Sequence, residues 1–162
     1  MFTIRYLLVT TLFLFGSTLS PTALSSDSNS NEFSKGKYLV EISGCNDCHT
    51  SGYAISGGNT PEAQWLLGDG LGFRGAWGTT YPPNLRVYIG GMSEREWVAR
   101  AKVLKTKPPM PWWILNTMTE DDLKEIYKYV VALGVIEKEV PSYVPPGEQP
   151  APPFIQWPMP PE

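Results

Sequence analysis

The sequence predicts an all-α domain of three to five helices joined by long irregular loops. Three observations carry this. Apolar residues recur at three-and-four spacing in three segments. Helix-capping patterns stand at or near the start of each segment. Between the first and second lies a Gly-rich stretch, Thr50 to Gly91, with little regular periodicity. A loop region that long is uncommon in a compact domain unless something else fills the core.

Taken in order, residues 1–25 have the make-up of an export signal. Arg5 supplies a positive start, Tyr6 to Phe15 a short apolar core, and Ala23-Leu24-Ser25 small residues where a peptidase would cut. The apolar run is shorter than the ~20 residues a membrane span needs, although an uncleaved anchor remains an alternative. Residues 26–32 are polar and read as a disordered lead-in. About 137 residues then remain, enough for one domain. That domain is expected over 33–140, with a Pro-rich tail over 141–162.

The first helix is expected from Ser34 as N-cap, with Phe33 stapling onto Tyr38 and an apolar face of Tyr38, Leu39 and Ile42. Gly36 sits on it at a cost in helix stability, and close approach by another helix would be a reason to keep it.

Cys45-Asn46-Asp47-Cys48-His49 follows, and it holds the chain's two cysteines and its one histidine. Cys-x-x-Cys-His is the attachment pattern of c-type haem. Two thiols about one helical turn apart can each form a thioether with one porphyrin, and the adjacent imidazole can reach the iron. A structural zinc site wants four ligands, and this chain offers three such side chains. A thioredoxin-like pair wants a neighbouring βαβ pattern, which is not apparent, and a plain disulfide leaves the histidine incidental.

One covalent haem would also supply the core that the Gly-rich loops lack. In those loops Trp65, Arg74, Trp77, Tyr81 and Asn84 are the candidates for the haem propionates, which need donors when buried. For each Trp or Tyr, ordinary burial in the core is an equal alternative.

Ser93 to Glu96 is a capping box, and Trp97, Ala101 and Leu104 form the apolar face of the next helix. Arg95, Arg100, Lys102, Lys105 and Lys107 form a basic stretch. It is either a solvated face or a docking patch for an acidic partner. Met110 stands between Pro109 and Pro111, which stiffen the chain around it. That makes it the candidate for the distal iron ligand. Met118 is the rival, yet it also sits where a staple onto Leu123 would sit, ahead of the Thr119–Asp122 cap. The last helix is expected from Glu120 to about Leu133, with Leu123, Ile126, Tyr127 and Val130 inward and Gly134 as its stop. The tail carries nine prolines. Polyproline II is expected there, with Phe154, Ile155 and Trp157 packing on the protein itself or on a partner.

This order of parts resembles class I cytochrome c over about residues 33–137. Trp77-Gly78-Thr79-Thr80-Tyr81-Pro82-Pro83-Asn84-Leu85, followed by Gly90-Gly91-Met92, is similar to the cytochrome c subunits of bacterial periplasmic dehydrogenases. The resemblance implies that fold, with one covalent haem c held through Cys45 and Cys48. It also implies His49 and Met110 as axial ligands, Tyr81 and Asn84 on the propionate side, and one-electron transfer rather than catalysis. Export fits it, since haem is attached outside the cytoplasm in such bacteria. Gly36 departs by standing one residue further from Cys45 than is usual, and the tail has no counterpart.

The function expected is therefore a periplasmic electron carrier of a respiratory chain, in a Gram-negative bacterium. Its partners would be redox proteins: a dehydrogenase as donor, an oxidase or another cytochrome as acceptor. It could also be the cytochrome subunit of a dehydrogenase complex. Membrane association would come only through a partner or an uncleaved signal. The formal net charge is −3, and −4 without Arg5, which gives no footing for nucleic acid. The alternative is a haem-based ligand sensor or a peroxidase-like enzyme, either of which needs an exchangeable distal position. A third reading is an interaction protein in which the tail matters most.

Overall fold

The computed structural model describes residues 33–158. The expected signal and lead-in lie outside the described residues, as does Met159. Helix α1 (Ser34–Ile42) leads into the five-residue α2 (Cys45–His49). A 3-10 turn follows at Glu62–Gln64. Strands β1 (Gly72–Gly75) and β2 (Gly78–Thr80) come next, then helix α3 (Leu85–Gly90). Helices α4 (Glu94–Val103), α5 (Trp112–Thr117) and α6 (Glu120–Ala132) precede the short strand β3 (Phe154–Gln156).

The all-α expectation is overturned. Among the described residues, six helices are joined by a three-stranded mixed sheet in the order β2-β1-β3. β1 and β2 form an antiparallel hairpin in which Gly75 faces Gly78, and β3 pairs with β1 in parallel. Strands of three or four residues are too short to show a period of two. The third comes from the Pro-rich tail, where proline argues against a central strand. It is an edge strand here, and its three residues contain no proline, since Pro153 and Pro158 lie just outside it.

Helix α1 packs on α6 at Gly36. A Cβ there would fall on the backbone carbonyl of Glu125 and within 2.6 Å of Tyr129 Cβ. This close approach decides which face of α1 turns inward. Gly36, Leu39 and Val40 are buried, while Tyr38 and Ile42 are 58% and 60% exposed. The expected face was thus rotated by about one position, and Phe33 rather than Ser34 is the N-cap.

The other helix starts follow the sequence. Ser93 and Glu96 close a reciprocal capping box, and Thr119 Oγ1 accepts from Asp122 N at 3.1 Å. On α6 the buried residues are Leu123, Ile126, Tyr129 and Val130. Tyr127 is only part-buried, its hydroxyl donating to Met92 O at 2.9 Å. Gly134, at φ +75°, ends the helix.

Arg86 on α3 is among the most deeply buried side chains, a role that no local pattern marks. Its Nε donates to Trp65 O, Nη1 to Leu133 O, and Nη2 to Glu62 O and Ala63 O, at 2.8 to 3.1 Å. Four carbonyls thus solvate the cation and tie the 3-10 turn and the end of α6 to α3. Burial lowers its pKa, and Glu62 opposes that. Glu62 in turn accepts from Lys37 Nζ at 2.7 Å and Tyr129 Oη at 2.8 Å. Burial disfavours its charge, but Lys37 and Tyr129 hold its carboxyl below the usual range.

The Gly36 contact makes a prediction whose sign is diagnostic. Helix propensity alone would make Gly36→Ala stabilising by about 1 kcal/mol. Overpacking against α6 costs about 1–3 kcal/mol, so the variant should be less stable. Chemical denaturation measures this, and a stabilised variant would contradict the packing.

Candidate functional site

The site begins with α2. Its five residues place Cys45 and Cys48 at i and i+3, on neighbouring positions of one helical surface. Both thiols and His49 line a cavity of about 660 Å³. Small-molecule and cofactor sites span roughly 300–1,000 Å³. Its walls include the core residues Val40, Leu66, Ile89, Trp97, Leu115, Ile126 and Val130. The hydrophobic core therefore opens onto this space rather than closing over itself.

His49 is 5% exposed, and its Nδ1 lies 2.8 Å from Pro83 O. A carbonyl can only accept, so Nδ1 carries the proton. Burial lowers the imidazole pKa, with the Pro83 bond opposing. The neutral ring therefore keeps its lone pair on Nε2, as a metal-binding histidine requires.

Neighbouring bonds fix the same corner. Thr50 Oγ1 accepts from Leu66 N and donates to Asn46 Oδ1, and Gly68 N donates to His49 O. Leu66 is held at φ +62° on the cavity wall, with its carbonyl accepting from Leu85 N. A left-handed leucine costs about 1–2 kcal/mol, which these bonds offset.

Burial pushes the Cys45 thiol up to about 12 and raises that of Cys48. Reactive redox pairs need the opposite, a depressed thiol pKa. Among the described residues, no group of three or more Cys, His, Asp or Glu side chains is placed to hold a metal ion.

Three methionines fall among the described residues, and only Met110 lines the cavity. Pro109 and Pro111 line it too. Met118 instead packs against the core cluster that includes Leu123, and Met92 is likewise part-buried against that cluster.

The five propionate candidates separate. Tyr81 lines the cavity. Arg74 does not: its Nη1 donates to Gln149 Oε1 at 2.8 Å, and its guanidinium lies over Phe154. Trp77 packs edge-on against Trp157 in the hairpin turn. Its Nε1 is buried without a hydrogen-bond partner, so its donor is spare, but the residue is not on the cavity wall. Asn84 is the N-cap of α3. Its Oδ1 accepts from Arg86 N and Val87 N, and its Nδ2 donates to Ile136 O. Trp65 Nε1 donates to Thr60 O. Asn84 and Trp65 are thus structural.

Comparison with protein-family models, curated proteins and solved structures finds no match for this chain. The residues must speak for themselves.

The basic stretch also divides. Lys102 is not a free surface charge, because its Nζ donates to Asn116 O and Met118 O. Lys105 and Lys107 lie past the end of α4, exposed, and they border the cavity together with Thr106. Among the lining residues that the sequence did not mark are two tyrosines: Tyr88, on α3, and Tyr143, from the tail. The composition of the tail hinted that it packs somewhere, but nothing local marked Tyr143. Among the described residues, no helix is long and apolar enough to cross a membrane.

Proposed function

We propose that this protein is a c-type monohaem cytochrome that carries single electrons in the periplasm, between a donor such as a dehydrogenase and a respiratory acceptor. The observation that carries the reading is the meeting of Cys45, Cys48, His49 and Met110 on one apolar cavity. A flat, largely apolar macrocycle fits such walls, and a thioether at each cysteine would hold it. When bound, a haem supplies one-electron oxidation and reduction at its iron.

The chain's own residues divide the remaining work. Pro83 fixes the tautomer of His49 so that Nε2 would be the atom free to bind a metal. Met110, stiffened by its flanking prolines, offers the thioether that would complete a six-coordinate site. Such a site suits electron transfer. Sensing and peroxidase chemistry need an exchangeable position, and a methionine on the wall argues against one. Tyr81, Lys105 and Lys107 are among the polar side chains that border the cavity and could serve carboxylates at its rim.

Attachment is the first test. The protein made with haem-attachment machinery should carry one haem that acid-organic solvent does not extract. Cys45→Ala or Cys48→Ala should leave at most one thioether. An unmodified polypeptide mass would end the reading.

The distal ligand is the second. Met110→Ala should abolish the sulfur-to-iron charge-transfer band of the oxidised form, lower the reduction potential and admit small ligands. Met118→Leu should keep band and potential, since leucine fills a similar core volume at a cost under about 1.5 kcal/mol. The reverse result would exchange the two assignments.

Docking is the third. Lys105→Glu should slow association with an acidic redox partner by up to about fivefold at low salt, the size of one exposed ion pair. The effect should fade as salt rises. Unchanged rates at low salt would leave Lys105 as a solvated charge.

A further inference from the structure

The Pro-rich tail returns to the hairpin and reaches the loop that carries Met110. Val144 exchanges two backbone hydrogen bonds with Thr79, at 2.8 and 3.0 Å. Tyr143 Oη donates to Trp77 O at 2.7 Å. Gly78, at φ +94°, makes room for this, since a Cβ there would fall on Val144 O and lie 2.9 Å from Tyr143 Oη. The Tyr143 ring lines the cavity, and Lys107 Nζ lies over it at 4.8 Å from the centroid. Lys107 is three residues before Met110. On the same loop, Pro108 O accepts from Thr80 Oγ1 at 2.8 Å, and Met110 O accepts from Trp112 N.

Hairpin, tail and methionine loop are therefore joined in one chain of contacts. β2 holds Pro108, the hairpin turn holds Tyr143, and Tyr143 holds Lys107.

We infer that Tyr143 is a positioning residue for Met110. It clamps the 104–111 loop against the cavity and so decides whether the distal side stays closed to exogenous ligands. The inference rests on the haem reading above. It adds that the tail, far in sequence from the cysteine motif, sets the difference between an electron carrier and a ligand-binding haem protein. Tyr143 acts through a hydrogen-bonded hydroxyl and a cation–π contact. Each is modest alone, and together they account for roughly a tenfold effect on loop opening.

The test uses the oxidised holoprotein and two readouts, the charge-transfer band and the rate of cyanide binding. Tyr143→Ala should weaken the band and speed cyanide binding by roughly tenfold, the effect expected from both contacts together. Tyr143→Phe keeps the ring over Lys107 and should restore part of the difference. Lys107→Gln, an exposed substitution outside the core, should give an intermediate rate. It should add little when combined with Tyr143→Ala, because Tyr143→Ala has already removed the cation–π contact that Lys107 makes. Ile155→Ser on β3 loosens the tail away from this loop and should leave the rate unchanged. Wild-type rates in Tyr143→Ala and Lys107→Gln would overturn the clamp. So would equal acceleration by Ile155→Ser, which would reduce the effect to general tail loosening. Met110→Ala separates the two levels: if it binds cyanide no faster than wild type, the haem-ligand reading itself fails, and the clamp with it.

Discussion

The buried guanidinium of Arg86 is the constraint on which the architecture around the cavity depends. A cation taken out of water is costly unless its hydrogen bonds are replaced. Here four backbone carbonyls replace them, from Trp65, Leu133, Glu62 and Ala63. Those carbonyls belong to segments that would otherwise have no common partner. Trp65 leads directly into Leu66 on the cavity wall, and Leu133 closes α6. One side chain thus fixes the distance between the wall of the site and the helix that packs on α1. Glu62, held ionised by Lys37 and Tyr129, supplies compensating charge nearby.

Helix α6 is secured differently along its length. At Gly36 of α1 the two backbones approach closely, and Lys35 pairs with Asp122 beside that contact. Past its C-terminal end, Leu133 O is held instead by the Arg86 guanidinium. Between these fixed points Val40, Ile126 and Val130 face the cavity. The hydrophobic core and the candidate cofactor site are therefore the same surface, and a group bound there would cover core rather than a peripheral pocket.

Much of this was readable where the signal is local. The Ser93–Glu96 and Thr119–Asp122 caps depend on residues three apart, and the structure has both. The cost of Gly36 in a helix pointed to a close helix contact, which α6 makes. Cys45, Cys48, His49, Met110 and Tyr81 come together at one cavity. What could not be read depends on distant partners. β1 and β2 are too short for a period, and β3 finds its partner about 80 residues away in sequence. Arg86 looks like any surface arginine until four carbonyls surround it. Arg74, Trp77, Asn84 and Trp65 had the right chemistry for propionates, but hairpin, tail and cap contacts direct them elsewhere. Lys102 carries the charge of a docking residue and spends its donors on the turn before α6.

The parallel pairing of β3 with β1 has a consequence for assembly. Gly72 meets Phe154 across most of the domain, and closing so large a loop carries an entropic cost that only the finished hairpin can offset. The cysteine pair, by contrast, sits near the start of the domain and on a helix formed from local bonds. As the chain emerges N-terminal end first, the tail is the last part to arrive. Until it does, the wall formed by Tyr143 is missing, and that side of the cavity is a doorway. A prosthetic group bound through both thiols would have its widest access in that interval, and Tyr143 would then close that side behind it.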